Sequence, residues 1–169
     1  HTCPPVMPDT TAMINPHQSD CAYPFKGLAS VGLAHKLGAA LLAASSLPDT
    51  GELVARFRRA TVDMVAVGTI GDMAPLLGEN RALVRMGLER LRTTDHHGLR
   101  SILEQDGMLS GGAGTEITSE WVAFKLCPRL NAASRISDPT EALSLLLSRD
   151  TAEAGSLARN LTALNQRRM

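Results

Sequence analysis

The chain has 169 residues, 17 basic against 17 acidic, with 3% aromatics. That length suffices for one domain, and a core poor in aromatics must be built from Leu, Val, Ala and Met, which favours helices over a β-sandwich. Zero formal charge argues against a basic nucleic-acid-binding domain, though a local basic groove fits a neutral whole. Three scattered cysteines argue against a disulfide framework or a zinc site, so a reducing, cytosolic setting is the default. No apolar run is long enough to span a membrane.

Residues 1–27 are rich in Pro, Asp and Asn and read as loop, with residues 12–14 as a possible short strand. Residues 28–46 place Val31, Ala34, Leu37, Leu41 and Leu42 at helical spacing, predicting a mostly buried helix that Pro48 and Asp49 terminate. A second helix is expected to start near Gly51. Residues 61–81 contain Val62, Met64, Val65, Val67 and Ile70, which suit a buried strand or a buried helix equally. Residues 80–91 carry Leu83, Val84, Gly87, Leu88 and Leu91 on one stripe. A short helix follows and closes at Gly107. The glycine-rich stretch 110–117 lacks the Lys-Ser/Thr sequel of a phosphate-binding loop. Thr118, Asp138 and Asp150 are expected N-caps, the last opening an amphipathic helix on Ala154, Leu157, Ala158, Leu161 and Leu164.

Three constellations could carry chemistry. Asp95-His96-His97 places potential metal ligands side by side, but it follows a helical stripe, where an exposed inter-helix loop capped by Thr94 or Asp95 is the simpler reading. Asp72 is the one acid in the run "MVAVGTIGDMAPLL". Such a carboxylate is either paired or metal-bound, or it caps a turn before Pro75. In "PRLNAASR", Arg129, Asn131 and Arg135 could converge on phosphate oxygens, or be surface residues at a helix start. His1, taken alone, carries no signal.

"YPFKGLASVGLAHKL", "VAVGTIGDMAPLLGENRALVRMGLERL", "GLRSILEQDG" and "FKLCPRLNAASRISDPTEALSLLL" resemble, in order and spacing, the RecJ family of single-strand-specific DNA exonucleases in the DHH phosphoesterase superfamily. The resemblance implies an α/β fold. Residues 1–149 would form the C-terminal, mostly helical part of a DHH-type parallel-sheet domain whose N-terminal strands are missing. Residues 150–169 would be an interdomain connector helix leading to a missing DHH-associated domain. His1 would be the last residue of the Asp-His-His signature, while Asp95-His96-His97 falls in a variable loop and is a decoy. Asp72 matches the metal-binding Asp of the GT-x-x-D-x-x-PL motif. With His1 it would serve a centre of two divalent ions, Mn²⁺ or Mg²⁺. Arg129, Asn131 and Arg135 match an RLNAAGR-type motif beside the substrate phosphates.

Ser30, Gly71, Cys127 and Ser134 stand where the family is expected to have Gly, Ala, Gly and Gly. Ser134 is the delicate change if that backbone needs a positive φ. The implied activity is 5′-to-3′ degradation of single-stranded DNA in repair and recombination, in the cytoplasm, beside a helicase and a single-strand-binding protein. The isolated chain, read as a fragment, is expected to be inactive. The alternatives are a non-catalytic DHH-derived scaffold of a replication or repair assembly, and a phosphoesterase of short oligonucleotides or cyclic dinucleotides.

Overall fold

Leu- and Ala-rich periodic segments become helices throughout the computed structural model, which describes residues 3–4, 6, 8–110, 116–136 and 138–168. In chain order these are α1 (Ser30–Ala43), α2 (Thr50–Gly71), α3 (Gly78–Leu91), α4 (His97–Gln105), α5 (Ser119–Trp121), a π-helical segment (Val122–Leu126), α6 (Cys127–Ile136), α7 (Thr140–Leu147) and α8 (Thr151–Arg168). No strand occurs among the described residues, and residues 12–14 are irregular. The helical half of the sequence-based fold expectation is therefore present, and its parallel sheet is not among these residues.

The ambiguous stretch after residue 61 is the C-terminal half of the 22-residue helix α2. Its buried residues, Val62, Asp63, Val65, Ala66, Val67, Thr69 and Ile70, lie on more than one face, because α1 and α3 both pack against it. Burial on two sides erases the one-stripe pattern that distinguishes an amphipathic helix from a buried strand. The α2–α3 crossing passes through Gly87, where an added Cβ would lie 2.3 Å from the Val62 carbonyl oxygen. Gly98 does the same for α4 against α7, with 2.1 Å to the Leu145 carbonyl oxygen. At either position any side chain would force the helices apart.

The second half of the chain packs α4, α6, α7 and α8 around Leu99, Ile102, Leu103, Leu126, Leu145 and Leu161, all fully buried. Thr118 caps as expected, its hydroxyl accepting the Trp121 N–H at 3.1 Å. Asp138 accepts the Thr140 N–H at 2.8 Å, and Asp150 the Glu153 N–H at 2.7 Å. Both relieve orphan donors of a first helical turn.

Helix α1 departs from expectation. It buries Gly32, His35 and Ala39, while Leu37 and Leu41 are exposed. Among the described residues only one side of this apolar helix is covered.

Candidate functional site

Asp72 sits at the C-cap of α2, its backbone N–H bonded to the carbonyls of Gly68 and Ile70. The chain then leaves the helix through a Schellman motif. The Met73 N–H bonds the Ile70 carbonyl at 3.0 Å, and the Ala74 N–H bonds the Thr69 carbonyl at 3.2 Å. That motif needs a left-handed residue, usually glycine. Here Met73 adopts φ 55° and its side chain is 90% exposed. The end of α4 is built the same way with a glycine: Gly107 at φ 68°, with Met108 N–H bonding the Leu103 carbonyl at 2.9 Å. A non-glycine in this conformation costs roughly 1 kcal/mol.

The Asp72 carboxylate is exposed and has no hydrogen-bond or ion-pair partner among the described residues. The sequence suggested an acid inside an apolar run. The fold puts it at the run's end, in solvent, on a backbone fixed by four hydrogen bonds.

The turn that follows is anchored to the amino-terminal loop. Asn80, fully buried, donates to the carbonyls of Gly27 at 2.7 Å and Pro75 at 3.0 Å, and accepts from the Ala29 N–H at 3.3 Å. Glu79 accepts the Tyr23 hydroxyl at 2.6 Å and pairs with Lys36 at 2.8 Å. The "YPFKG" and "GENR" motifs are thus two halves of one clamp.

Helix α6 comes alongside the end of α2. Asn131, Gly68 and Gly71 line one cavity of about 320 Å³, together with Val31, Met64, Val67, Cys127 and Leu130. A Cβ on Gly71 would lie 3.1 Å from the Cys127 Sγ. Two of the departures from the family pattern are therefore one packing pair. Burial pushes the Cys127 thiol up to about 11, so it is an inert core group. Ser134 is helical with no positive φ, and its hydroxyl donates to the Asn131 carbonyl at 3.0 Å; the concern over a lost glycine does not arise.

Arg129, expected at a phosphate, is instead only 11% exposed, and one of its terminal nitrogens is bound to both oxygens of Asp106 at 2.7 and 2.9 Å. This carboxylate already neutralises much of its charge. The side chain of Arg135 and all of His1 lie outside the described residues.

The Asp95-His96-His97 triplet is consumed by its own fold. Asp95 pairs with Arg90. His96 Nε2 lies 2.8 Å from the Ala60 carbonyl oxygen and 3.5 Å from Asp63 Oδ1, and His97 Nδ1 is 3.0 Å from the Thr151 hydroxyl. Sequence reasoning missed Asp63, which is 1% exposed and accepts from the Thr94 hydroxyl at 2.7 Å and the Met64 N–H at 2.8 Å. Burial pushes its carboxyl up, but the hydrogen bonds from His96 and Thr94 outweigh that and hold it below the usual range. The bond to Asp63 raises His96 against the opposite pull of its burial. The one signal in the sequence was an acid among Val62, Met64 and Val65.

No three His, Cys, Asp or Glu side chains converge as a metal cluster among the described residues. A hard divalent ion prefers carboxylate oxygen, so Asp72 fits as one donor to a site that other residues must complete.

The chain is similar to known proteins over most of its length. Over 168 residues the chain is 45% identical to the single-stranded-DNA-specific exonuclease RecJ of Bacillus subtilis, covering 99% of this chain and 19% of that protein. It is 40% identical to RecJ of Dickeya dadantii, covering 96% of this chain and 28% of that protein. Among solved structures, exonuclease RecJ bound to manganese superposes with a TM-score of 0.65 at 41% identity, over 81% of this chain and 32% of that one. RecJ of Thermus thermophilus in complex with Mg²⁺ gives 0.58 at 44% identity, over 65% and 17%. The chain spans less than a third of the length of each of these proteins. No family model matches it.

Proposed function

Because the chain belongs to the RecJ family over the segment it shares with those exonucleases, we propose that the protein carrying it is a metal-dependent exonuclease of single-stranded DNA. It would work 5′ to 3′, in the cytoplasm, in repair and recombination, beside a helicase and a single-strand-binding protein. The observation that carries this reading is the Asp72 carboxylate, without a partner among the described residues and held on a hydrogen-bonded turn, in a chain similar to proteins whose structures hold Mg²⁺ or Mn²⁺.

Asp72 and His1 are proposed to serve the metal centre, and Arg129, Asn131 and Arg135 the DNA phosphates. Bound divalent ions would polarise the scissile phosphodiester and acidify the attacking water. Asp72 would hold its oxygen donor at a fixed place, because its backbone is bonded on both sides of the turn. Asn131, exposed beside the end of α2, supplies an amide to a phosphate oxygen. Arg129, already bound by Asp106, fixes the direction of α6 and adds a partly offset positive charge. We also assign residues 1–149 to the helical side of a DHH-type parallel-sheet domain, with 150–169 as its connector. A sheet there would cover the exposed Leu37 and Leu41 of α1.

The test is digestion of 5′-labelled single-stranded DNA by the full-length protein, with Mn²⁺ and with chelator. Activity that needs the metal and falls at least about 100-fold in Asp72→Ala is expected. Metal-independent digestion, or full activity in the variant, overturns the assignment. Total inactivity with DNA binding intact would favour the scaffold reading.

A further inference from the structure

Beside the Asp72 turn lies a residue that touches no proposed ligand yet controls where that turn sits. We propose that Asn80 is a positioning residue for the metal site, locking the Asp72-bearing turn to the loop that leads into α1. The inference rests on the reading of Asp72 as a metal ligand.

The geometry is specific. Asn80 is fully buried, and its side-chain amide spends both donors and one acceptor lone pair on three backbone groups. Two belong to the segment 27–29 and one is the Pro75 carbonyl, three residues beyond Asp72. The Pro75 carbonyl also accepts the Leu77 N–H at 2.8 Å, so the turn is closed on itself and then tied down.

On its other side the turn hangs from α2 through Met73, held in a left-handed conformation that costs energy. A strained residue keeps its conformation only if the surroundings over-determine it, and the Asn80 amide is the anchor that does so from outside the helix. Without it, the turn has no side-chain tie among the described residues and can relax. Relaxation would move the backbone carrying Asp72 by a fraction of an ångström, which a metal site does not tolerate. Glu79 next door does something different: its carboxylate binds Tyr23 and Lys36, with no hydrogen bond to the turn among the described residues.

The experiment uses the full-length protein, Mn²⁺ titrations followed by calorimetry or paramagnetic resonance, and thermal melts. Asn80→Ala should weaken Mn²⁺ binding by ~10-fold, the scale seen when supporting residues of metal sites are removed. Asn80→Ser, which keeps a donor, gives the readout if the alanine variant does not fold, and should weaken binding less. Tyr23→Phe, which cuts the clamp away from the turn, should lower Tm and leave Mn²⁺ affinity alone. Folded Asn80 variants that bind Mn²⁺ like the wild type, while Asp72→Ala does not, overturn the positioning role and leave the Asp72 reading standing. Wild-type Mn²⁺ affinity in Asp72→Ala as well overturns that reading and the proposal with it.

Discussion

Two short regions of this molecule carry potential metal ligands, and the fold treats them in opposite ways. The loop before α4 offers three such side chains in a row, and each is bonded to another part of the protein: Asp95 to Arg90, His96 to Asp63 and the Ala60 carbonyl, His97 to Thr151. The turn after α2 offers one carboxylate, which the rest of the described structure leaves unpaired while bonding the backbone of its turn. Ligand letters in sequence count for less than whether the fold leaves their lone pairs free. A group already paired must lose that partner before it can bind anything else; the loss weighs most for His96, whose partner Asp63 is 1% exposed, and least for Asp95, whose carboxylate is 86% exposed.

The largest test of this contrast is catalytic. In the full-length protein Asp72→Ala should remove nearly all nuclease activity while shifting stability by no more than about 0.5 kcal/mol, as expected for an exposed side chain. The joint change of His96 and His97 to Ala should do the reverse at a temperature where the protein stays folded. A large activity loss per folded molecule in that double variant would break the comparison.

Next in size is stability. Asp63→Ala should cost about 3 kcal/mol in urea unfolding, because it strands the buried Thr94 hydroxyl without its acceptor and takes the paired carboxylate away from His96, whose ring keeps only the Ala60 carbonyl. His96→Ala leaves Asp63 with Thr94 and the Met64 N–H, and should cost about half as much. Equal effects would mean that the carboxylate does not organise this loop.

A pH series sharpens the same point. His96 is raised, so its share of stability is complete below about pH 6.5 and is lost as pH rises through its folded value. Asp63 is depressed, so its share is complete above about pH 4 and is lost as pH falls through its folded value. Urea midpoints should fall on both sides, and His96→Gln should flatten the alkaline side only. An unchanged alkaline slope in that variant would remove His96 from the account.

The smallest effect concerns the wall of the cavity beside Asp72. Gly71→Ala meets the Cys127 Sγ, and should be better tolerated by about 0.5–1 kcal/mol when Cys127→Gly is made with it. Additive stabilities in that double-mutant cycle would show that the two sites do not share space.

Local rules were legible where the physics is local. The N-caps at Thr118 and Asp150, the stripe of α3 and the glycine that ends α4 follow from hydrogen-bond orphans and helical spacing and are where the sequence places them, while α7 starts one residue later than expected, with Pro139 at its N-cap and Asp138 bonding the Thr140 N–H. The motif resemblance led to RecJ because several unusual segments must occur in order. The sequence also placed Asp95-His96-His97 at the junction between two helices, where the structure has it.

What the sequence left open depended on neighbours distant along the chain. Whether residues 61–71 are helix or strand was undecided because α1 and α3, which bury both sides, are contributed from elsewhere. The sequence singled out Asp72 and passed over Asp63: both are acids among apolar residues, yet one ends a helix in solvent and the other meets Thr94 and His96 in the core. Arg129 looked free until α4 brought Asp106 against it. Composition and spacing determine which residues can form a helix or hold an ion. Only the packing of one helix on another decides which polar groups are left with unspent hydrogen-bonding capacity, because burial and partners are properties of the assembled whole.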